Sequence, residues 1–189
     1  MDEYGSIRTF FEGKNIFITG GSGFLGKPLI EKLLRSCPDI GNIYVLLRPK
    51  RGKHVQERLE QILLNPIFNL LKETNPDNIK KIICVSGDSS KPGLGLSEED
   101  RQILIDKINI FYHGAASVRF DDFLKDGILI NIGGAQEAAK LALEMKNIEV
   151  FTHISTCYCN IDNRKVFLCI PNLVPIERSP MMMSINLEA

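Results

Sequence analysis

The sequence predicts a doubly wound parallel α/β sheet, and three observations carry that reading. Short, nearly continuous apolar runs recur along the chain, longer amphipathic segments separate them, and a glycine-rich turn joins the first run to the first amphipathic segment. Strands covered by helices on both faces bury both sides, so they lose the alternation of apolar and polar residues seen in a half-exposed strand.

The first run is Lys14-Asn15-Ile16-Phe17-Ile18-Thr19, a buried strand bounded by charge on one side and glycine on the other. From Phe24 to Arg35 the residues Phe24, Leu25, Leu29, Ile30, Leu33 and Leu34 recur at helical spacing, and Ser36-Cys37-Pro38 ends the helix. Ile43-Tyr44-Val45-Leu46-Leu47 is the second strand and closes a βαβ unit. Lys50 to Asn78 is basic and helical in pattern, broken at Asn65-Pro66 and Asn75-Pro76, which predicts helices with an insertion. Lys81 to Asp88 predicts the third strand. A loop, Pro92 to Ser97, then leads into the capping signature Ser97-Glu98-Glu99-Asp100. The fourth strand is Ile108 to His113, followed by a helix from about Asp121 to Met145 that Gly127 and Gly133-Gly134 weaken, and the fifth strand is Val150 to Ser155. Beyond Asn160 the pattern degrades to a short candidate strand, Lys165 to Ile170, and a tail rich in Pro and Met. The expected organisation is a lead of residues 1–12, a Rossmann-type domain of residues 13–160, and residues 161–189 as an incomplete continuation or irregular tail.

Composition narrows the function. The 189 residues are 44% hydrophobic, enough for one sizeable core, and 23 basic residues balance 23 acidic ones, so no global field draws the chain to nucleic acid or an anionic membrane. Any anion site must be local. The five cysteines are irregularly spaced, and Cys157-x-Cys159 is not the pair-of-pairs pattern of a structural zinc site, so they read as reduced thiols in a cytosol-facing protein with no metal site. The start Met1-Asp2-Glu3-Tyr4 carries acid where a signal peptide carries base, and no apolar run approaches the roughly 20 residues of a membrane span, so the chain reads as soluble.

Thr19-Gly20-Gly21-Ser22-Gly23-Phe24-Leu25-Gly26 places glycines at 20, 23 and 26 between strand and helix. The first two leave room for the close approach of a pyrophosphate, the third lets helix and strand pack, and free N–H groups at the helix start face the phosphates. Where an NAD enzyme carries an acid for the ribose 2′-hydroxyl, the second strand ends in Leu47-Arg48-Pro49-Lys50-Arg51. A guanidinium pairs bidentately with a 2′-phosphate, so Arg48 and Lys50 favour NADPH over NADH; solvated helix-lead charge is the alternative. Asp88, after the third strand, can accept from the adenine amino group or cap a turn. The small residues Gly114, Ala115 and Ala116 let the backbone lie against the cofactor ribose. His113, a lone histidine at a strand end, reads as a packed structural residue. Ser155 and Thr156 stand at the end of the fifth strand, the crevice edge where such sheets bind ligands, and their hydroxyls could hydrogen-bond a substrate carbonyl or cap a turn. Tyr158 reads as packing, because the position four residues on is Asp162 rather than lysine.

These blocks, together with Leu94-Gly95-Leu96-Ser97, His113 to Phe120 and His153 to Asn160, resemble the alcohol-forming fatty acyl-CoA reductases, the male-sterility family of extended short-chain dehydrogenases, from about Gly13 to Asn160. The resemblance implies NADPH-driven reduction of a long-chain fatty acyl-CoA through an aldehyde to a fatty alcohol. It assigns Gly20, Gly23, Gly26 and Arg48 to the cofactor, Asp88 to the adenine, and Ser155 or Thr156 to the carbonyl. It leaves open association of a whole protein with the peroxisomal or endoplasmic reticulum membrane. Two departures stand out. Asn131-Ile132-Gly133-Gly134-Ala135 replaces the family's Asn-x-x-Gly-Thr, and the family's Tyr-x-x-x-Lys pair occurs nowhere in the 189 residues. The tyrosine would supply the proton and the lysine lower its pKa, so the chain is expected to be a fragment or truncated product, itself inactive. Two other readings stand beside this one: an extended reductase or epimerase acting on a nucleotide sugar, and a catalytically dead NADP(H)-binding module.

Overall fold

A computed structural model describes residues 6–49, 54–119, 121–156 and 181–187. Six strands build one sheet: β1 (Ile16–Thr19), β2 (Ile43–Leu47), β3 (Ile82–Ser86), β4 (Ile110–His113), β5 (Val150–Thr156) and β6 (Met181–Leu187). Their order is β3-β2-β1-β4-β5-β6, with every neighbouring pair parallel. The order reverses between β2 and β4 on either side of β1, which creates the crevice at the C-terminal strand ends where such sheets bind ligands.

The continuous apolar runs form strands because both sheet faces are covered. Ile16 and Ile18 of β1 join a core with Leu34 of α2 (Gly26–Ser36), Leu59 of α3 (Val55–Leu63) and Leu71 of α4 (Asn69–Thr74). Phe17 points to the other face, where it meets Leu104 of α5 (Glu98–Lys107) and Leu141 of α7 (Gly134–Glu144). In register across that face lie Phe17, Phe111 and Phe151, with ring centroids 4.6 and 5.1 Å apart. A short helix, α1 (Ile7–Phe11), precedes the sheet and is capped by Ser6, whose hydroxyl accepts from the Thr9 N–H. Ser97 caps α5 as its sequence signature predicts, accepting from the Asp100 N–H at 3.1 Å.

Four elements differ from the sequence reading, the first being α1, which forms within the residues 1–12 read as a lead. The helix after β1, α2, begins at Gly26, not Phe24: the glycine turn uses up the residues before it, and Phe24 is left 88% exposed. The long helix after β4 is three segments, α6 (Leu124–Gly127), a π-helical stretch (Ile128–Gly133) and α7. Met181–Leu187, placed by the sequence in the tail, pairs with β5 as a sixth strand. Its three methionines are unbranched and flexible, so they carry none of the β-branched bias that signals a strand. The candidate strand Lys165 to Ile170 lies outside the described residues, as do Lys50 and Cys157 to Asn160. Among the described residues no helix is long and apolar enough to cross a membrane, and Cys37 and Cys84 are free thiols.

Candidate dinucleotide cleft

The C-terminal ends of β1, β2, β3 and β4 rim a cleft of about 680 Å³. On one side runs the turn after β1. Gly20 has φ +76°, the left-handed region that favours glycine, and a Cβ there would lie 2.5 Å from the Gly114 carbonyl oxygen. Gly21 and Gly26 are also held close by the protein's own atoms, the first against Val45 and the second against the Gly20 carbonyl. Gly23 is different. It is exposed and lines the cleft, and a Cβ would meet only the Gly20 oxygen, at 3.1 Å. Space at Gly23 is therefore kept toward the cleft rather than for packing. The first turn of α2 has no side-chain cap and no acidic residue, so the positive end of the helix is left for an anion, although the Lys27 N–H already donates to the Gly23 carbonyl and Pro28 has no N–H to offer.

Across the cleft, Arg48 stands exposed beyond β2, and Arg58 of α3 donates to the Arg48 carbonyl; both side chains line the cavity. The sequence reading missed Arg58 because it sits within Gln56-Glu57-Arg58, a run that reads as the solvated face of a helix. Only the return of α3 to the end of β2 gives it a role. Asp88 lines the same wall, with its carboxylate accepting from the Ser90 N–H at 3.0 Å and the Ser90 hydroxyl at 2.7 Å. Burial pushes its pKa up, but the Ser90 hydrogen bonds and the charges of Arg48 and Lys91 outweigh that and hold it below the usual carboxylate range. Of the two sequence readings of Asp88, the turn cap is the one its observed bonds make.

The floor comes from the turn after β4, where Gly114, Ala115, Ala116 and Ser117 line the cavity. Asn131, in the π-helical stretch, holds this turn by accepting from the Ser117 N–H at 2.8 Å and donating to the Ser117 carbonyl at 3.1 Å. The far end is formed by Asp122, Asp126, Leu129 and Ile130.

The cleft thus gathers Gly20, Ser22, Gly23, Arg48, Asp88, Gly114, Ala115 and Ala116 from the residues that the sequence singled out. Among the described side chains, Thr19, Gly21, Phe24, Leu25, Gly26 and Ser155 lie outside its lining. Thr19 is buried at 1% exposure beneath the floor, where its hydroxyl hydrogen-bonds His113; Gly21 and Gly26 are buried packing positions; Phe24 and Leu25 point to solvent. A strand end and a helix start can be in the motif and still face away from its ligand. Ser155 is half-buried on β5, opposite Asn186 of β6 and outside the cleft lining; Thr156 is opposite Leu187, its side chain outside the described residues. Among the described residues no group of three or more His, Cys, Asp or Glu could hold a metal ion.

Residues 18–175, a span that holds the glycine turn and every wall of the cleft, match the male sterility protein family, a family of NAD-binding domains. The chain belongs to that family. Relatives of this male sterility domain include fatty acyl-CoA reductase 1 of Rattus norvegicus, 49% identical over 157 residues, and the fatty acyl-CoA reductase wat of Drosophila melanogaster, 42% identical over 160. These alignments cover 82% and 85% of this chain but 30% and 31% of the relatives, so the chain spans about a third of their length. Two solved structures share its fold: the terminal R domain of the myxalamid PKS-NRPS pathway (31% identity, TM-score 0.62, 77% of this chain and 35% of that one) and the reductase domain of a nonribosomal peptide synthetase from Mycobacterium tuberculosis (27%, 0.63, 80% and 35%).

Proposed function

We propose that the chain forms the NADPH-binding part of a reductase that takes long-chain fatty acyl-CoA through the aldehyde to the fatty alcohol. The observation that carries this is the pairing, across one cleft, of an uncapped helix start behind the open position at Gly23 with the two guanidinium groups of Arg48 and Arg58. A pyrophosphate suits the first and a 2′-phosphate the second. The names of the relatives, fatty acyl-CoA reductases at 42–49% identity, support the substrate class.

In this reading the N–H groups of Ser22 and of Phe24 to Gly26 bind the pyrophosphate, the Gly23 N–H being held by the Gly20 carbonyl, and Arg48 and Arg58 clamp the 2′-phosphate, to which the sequence adds Lys50 as a candidate. The Asp88 oxygen not engaged by Ser90 accepts from the adenine amino group. The backbone of Gly114 to Ala116 lies against the ribose, which larger side chains would exclude. A Ser155 or Thr156 hydroxyl at the crevice edge donates to the thioester or aldehyde oxygen and stabilises the negative charge that grows there. When bound, the nicotinamide supplies the hydride.

Titration calorimetry with NADPH and NADH tests the proposal. The chain should prefer NADPH, and Arg48→Ala should weaken NADPH binding by about 1.5–3 kcal/mol while leaving NADH little changed, because the lost contact is charge-assisted and specific to the phosphate. Equal affinities for the two dinucleotides in the parent, or an Arg48→Ala variant that keeps the preference, would refute the assignment.

A further inference from the structure

His113 closes β4 and lies in register with Thr19, which closes β1. Its Nδ1 is 2.8 Å from the Thr19 hydroxyl oxygen. That oxygen also accepts from the Ala115 N–H at 3.3 Å, and the Thr19 carbonyl accepts from the Gly114 N–H at 3.2 Å. One threonine therefore ties down three consecutive residues, 113, 114 and 115, the last two of which floor the cleft. Immediately after Thr19 the glycine turn begins, and the Gly114 carbonyl fills the space where Gly20 lacks a side chain.

The histidine is costly to keep there. It is 1% exposed, it stacks on His153 at 5.3 Å with the Phe111 ring edge-on, and its Nε2 finds no hydrogen-bond partner among the described residues, nor does Nδ1 of His153. A leucine or phenylalanine would fill the site without an orphaned polar atom. What an apolar residue would lack is the bond to Thr19. Burial and the neighbouring His153 also lower the His113 pKa to about 4, so the ring is neutral at physiological pH and brings no charge beneath the cleft.

We infer that His113 is a positioning residue, which acts through the Thr19 hydroxyl to fix the Gly20–Gly23 and Gly114–Ala116 turns at the separation a dinucleotide needs. This rests on the dinucleotide reading of the cleft, and the experiment separates the two. Thr19→Val keeps the shape of the side chain but loses the hydroxyl, and His113→Leu loses Nδ1. Thr19→Ser restores the hydroxyl, and His113→Asn restores a hydrogen-bonding atom near the Nδ1 position. Amide hydrogen exchange on the ligand-free protein should show Ala115 about tenfold less protected in Thr19→Val and His113→Leu, with protection regained in Thr19→Ser and His113→Asn and with Phe17 in the core unchanged. NADPH affinity by calorimetry should fall and recover in step, and the Thr19→Val/His113→Leu double variant should be no worse than Thr19→Val alone, because the Thr19 hydroxyl carries both bonds and His113→Leu cuts one of those two.

Unchanged Ala115 protection in folded Thr19→Val and His113→Leu overturns the inference, as do additive losses in the double variant or a failure of His113→Asn to restore binding that His113→Leu has lost. A parent that binds neither dinucleotide refutes the proposed function instead. In that case the exchange data alone decide whether the bond holds the turns.

Discussion

Gly20 and Gly23 lie three residues apart in one turn, yet the first is required by the fold and the second, in the proposed function, by the pyrophosphate that enters the cleft. At Gly20 any side chain meets the Gly114 backbone at 2.5 Å in a left-handed conformation, and backbone cannot move aside cheaply. Gly20→Val should leave the chain unfolded or well below the parent in thermal midpoint even without ligand. At Gly23 the added atom meets one oxygen at 3.1 Å and is otherwise in the open. Gly23→Val should therefore fold with a midpoint within a few degrees of the parent, yet show no cofactor binding, because in the proposed function the valine would occupy the pyrophosphate's place. Circular dichroism and calorimetry on the two variants distinguish these effects; a Gly23→Val protein that binds NADPH at the parent's affinity would show that the turn is structural only.

At the scale of elements, the parallel strands were legible because burial on two faces leaves no polar alternation, as in Ile43 to Leu47, all five of them buried. The crevice was legible too, since the glycines and Arg48 fall at the ends of consecutive strands. What local pattern could not show was how elements return to the cleft. Arg58 reaches it only through the path of α3, Thr19 turns beneath the floor rather than into it, and β6 is a methionine segment recruited by pairing with β5. The π-helical stretch is of the same kind. Gly133-Gly134 reads as weakened helix, but a Cβ at Gly134 would lie 2.7 Å from the Ser89 carbonyl, so glycine lets the start of α7 pack on the loop after β3. The wide turn before it carries Asn131 to Ser117. Asn131→Ala removes both bonds to Ser117 and should cost about 1–3 kcal/mol of local stability. It should be read as faster exchange at the Ser117 amide, with little change at Leu104 or Ile110 in the core. Protection at Ser117 equal to the parent's would mean that the turn holds itself.

For the whole molecule, the buried imidazoles beneath the cleft set how the fold responds to acid. The His113 pKa falls from 6.5 to about 4 on folding, through burial first and then the nearby His153, whose own pKa burial also lowers. A lowered folded pKa means that the unfolded chain takes up a proton first as pH drops. Stability is thus fully present above about pH 6.5 and declines toward pH 4, by about 3 kcal/mol from His113 alone, since each pKa unit is worth about 1.4 kcal/mol. The carboxylates act in a lower window. Asp77, Asp88, Asp106, Asp121 and Glu137 have pKa values held below their ordinary 3.8 to 4.5, and their contribution is lost only as pH falls through that range and beneath it. Between pH 6.5 and 4, urea midpoints of the parent should therefore fall with pH, whereas those of His113→Asn, whose side chain does not titrate, should fall less steeply even though the variant begins less stable. Parallel curves for the two proteins across that window would mean that His113 takes up its proton in the folded state as easily as in the unfolded one, and that the floor of the cleft is open to water.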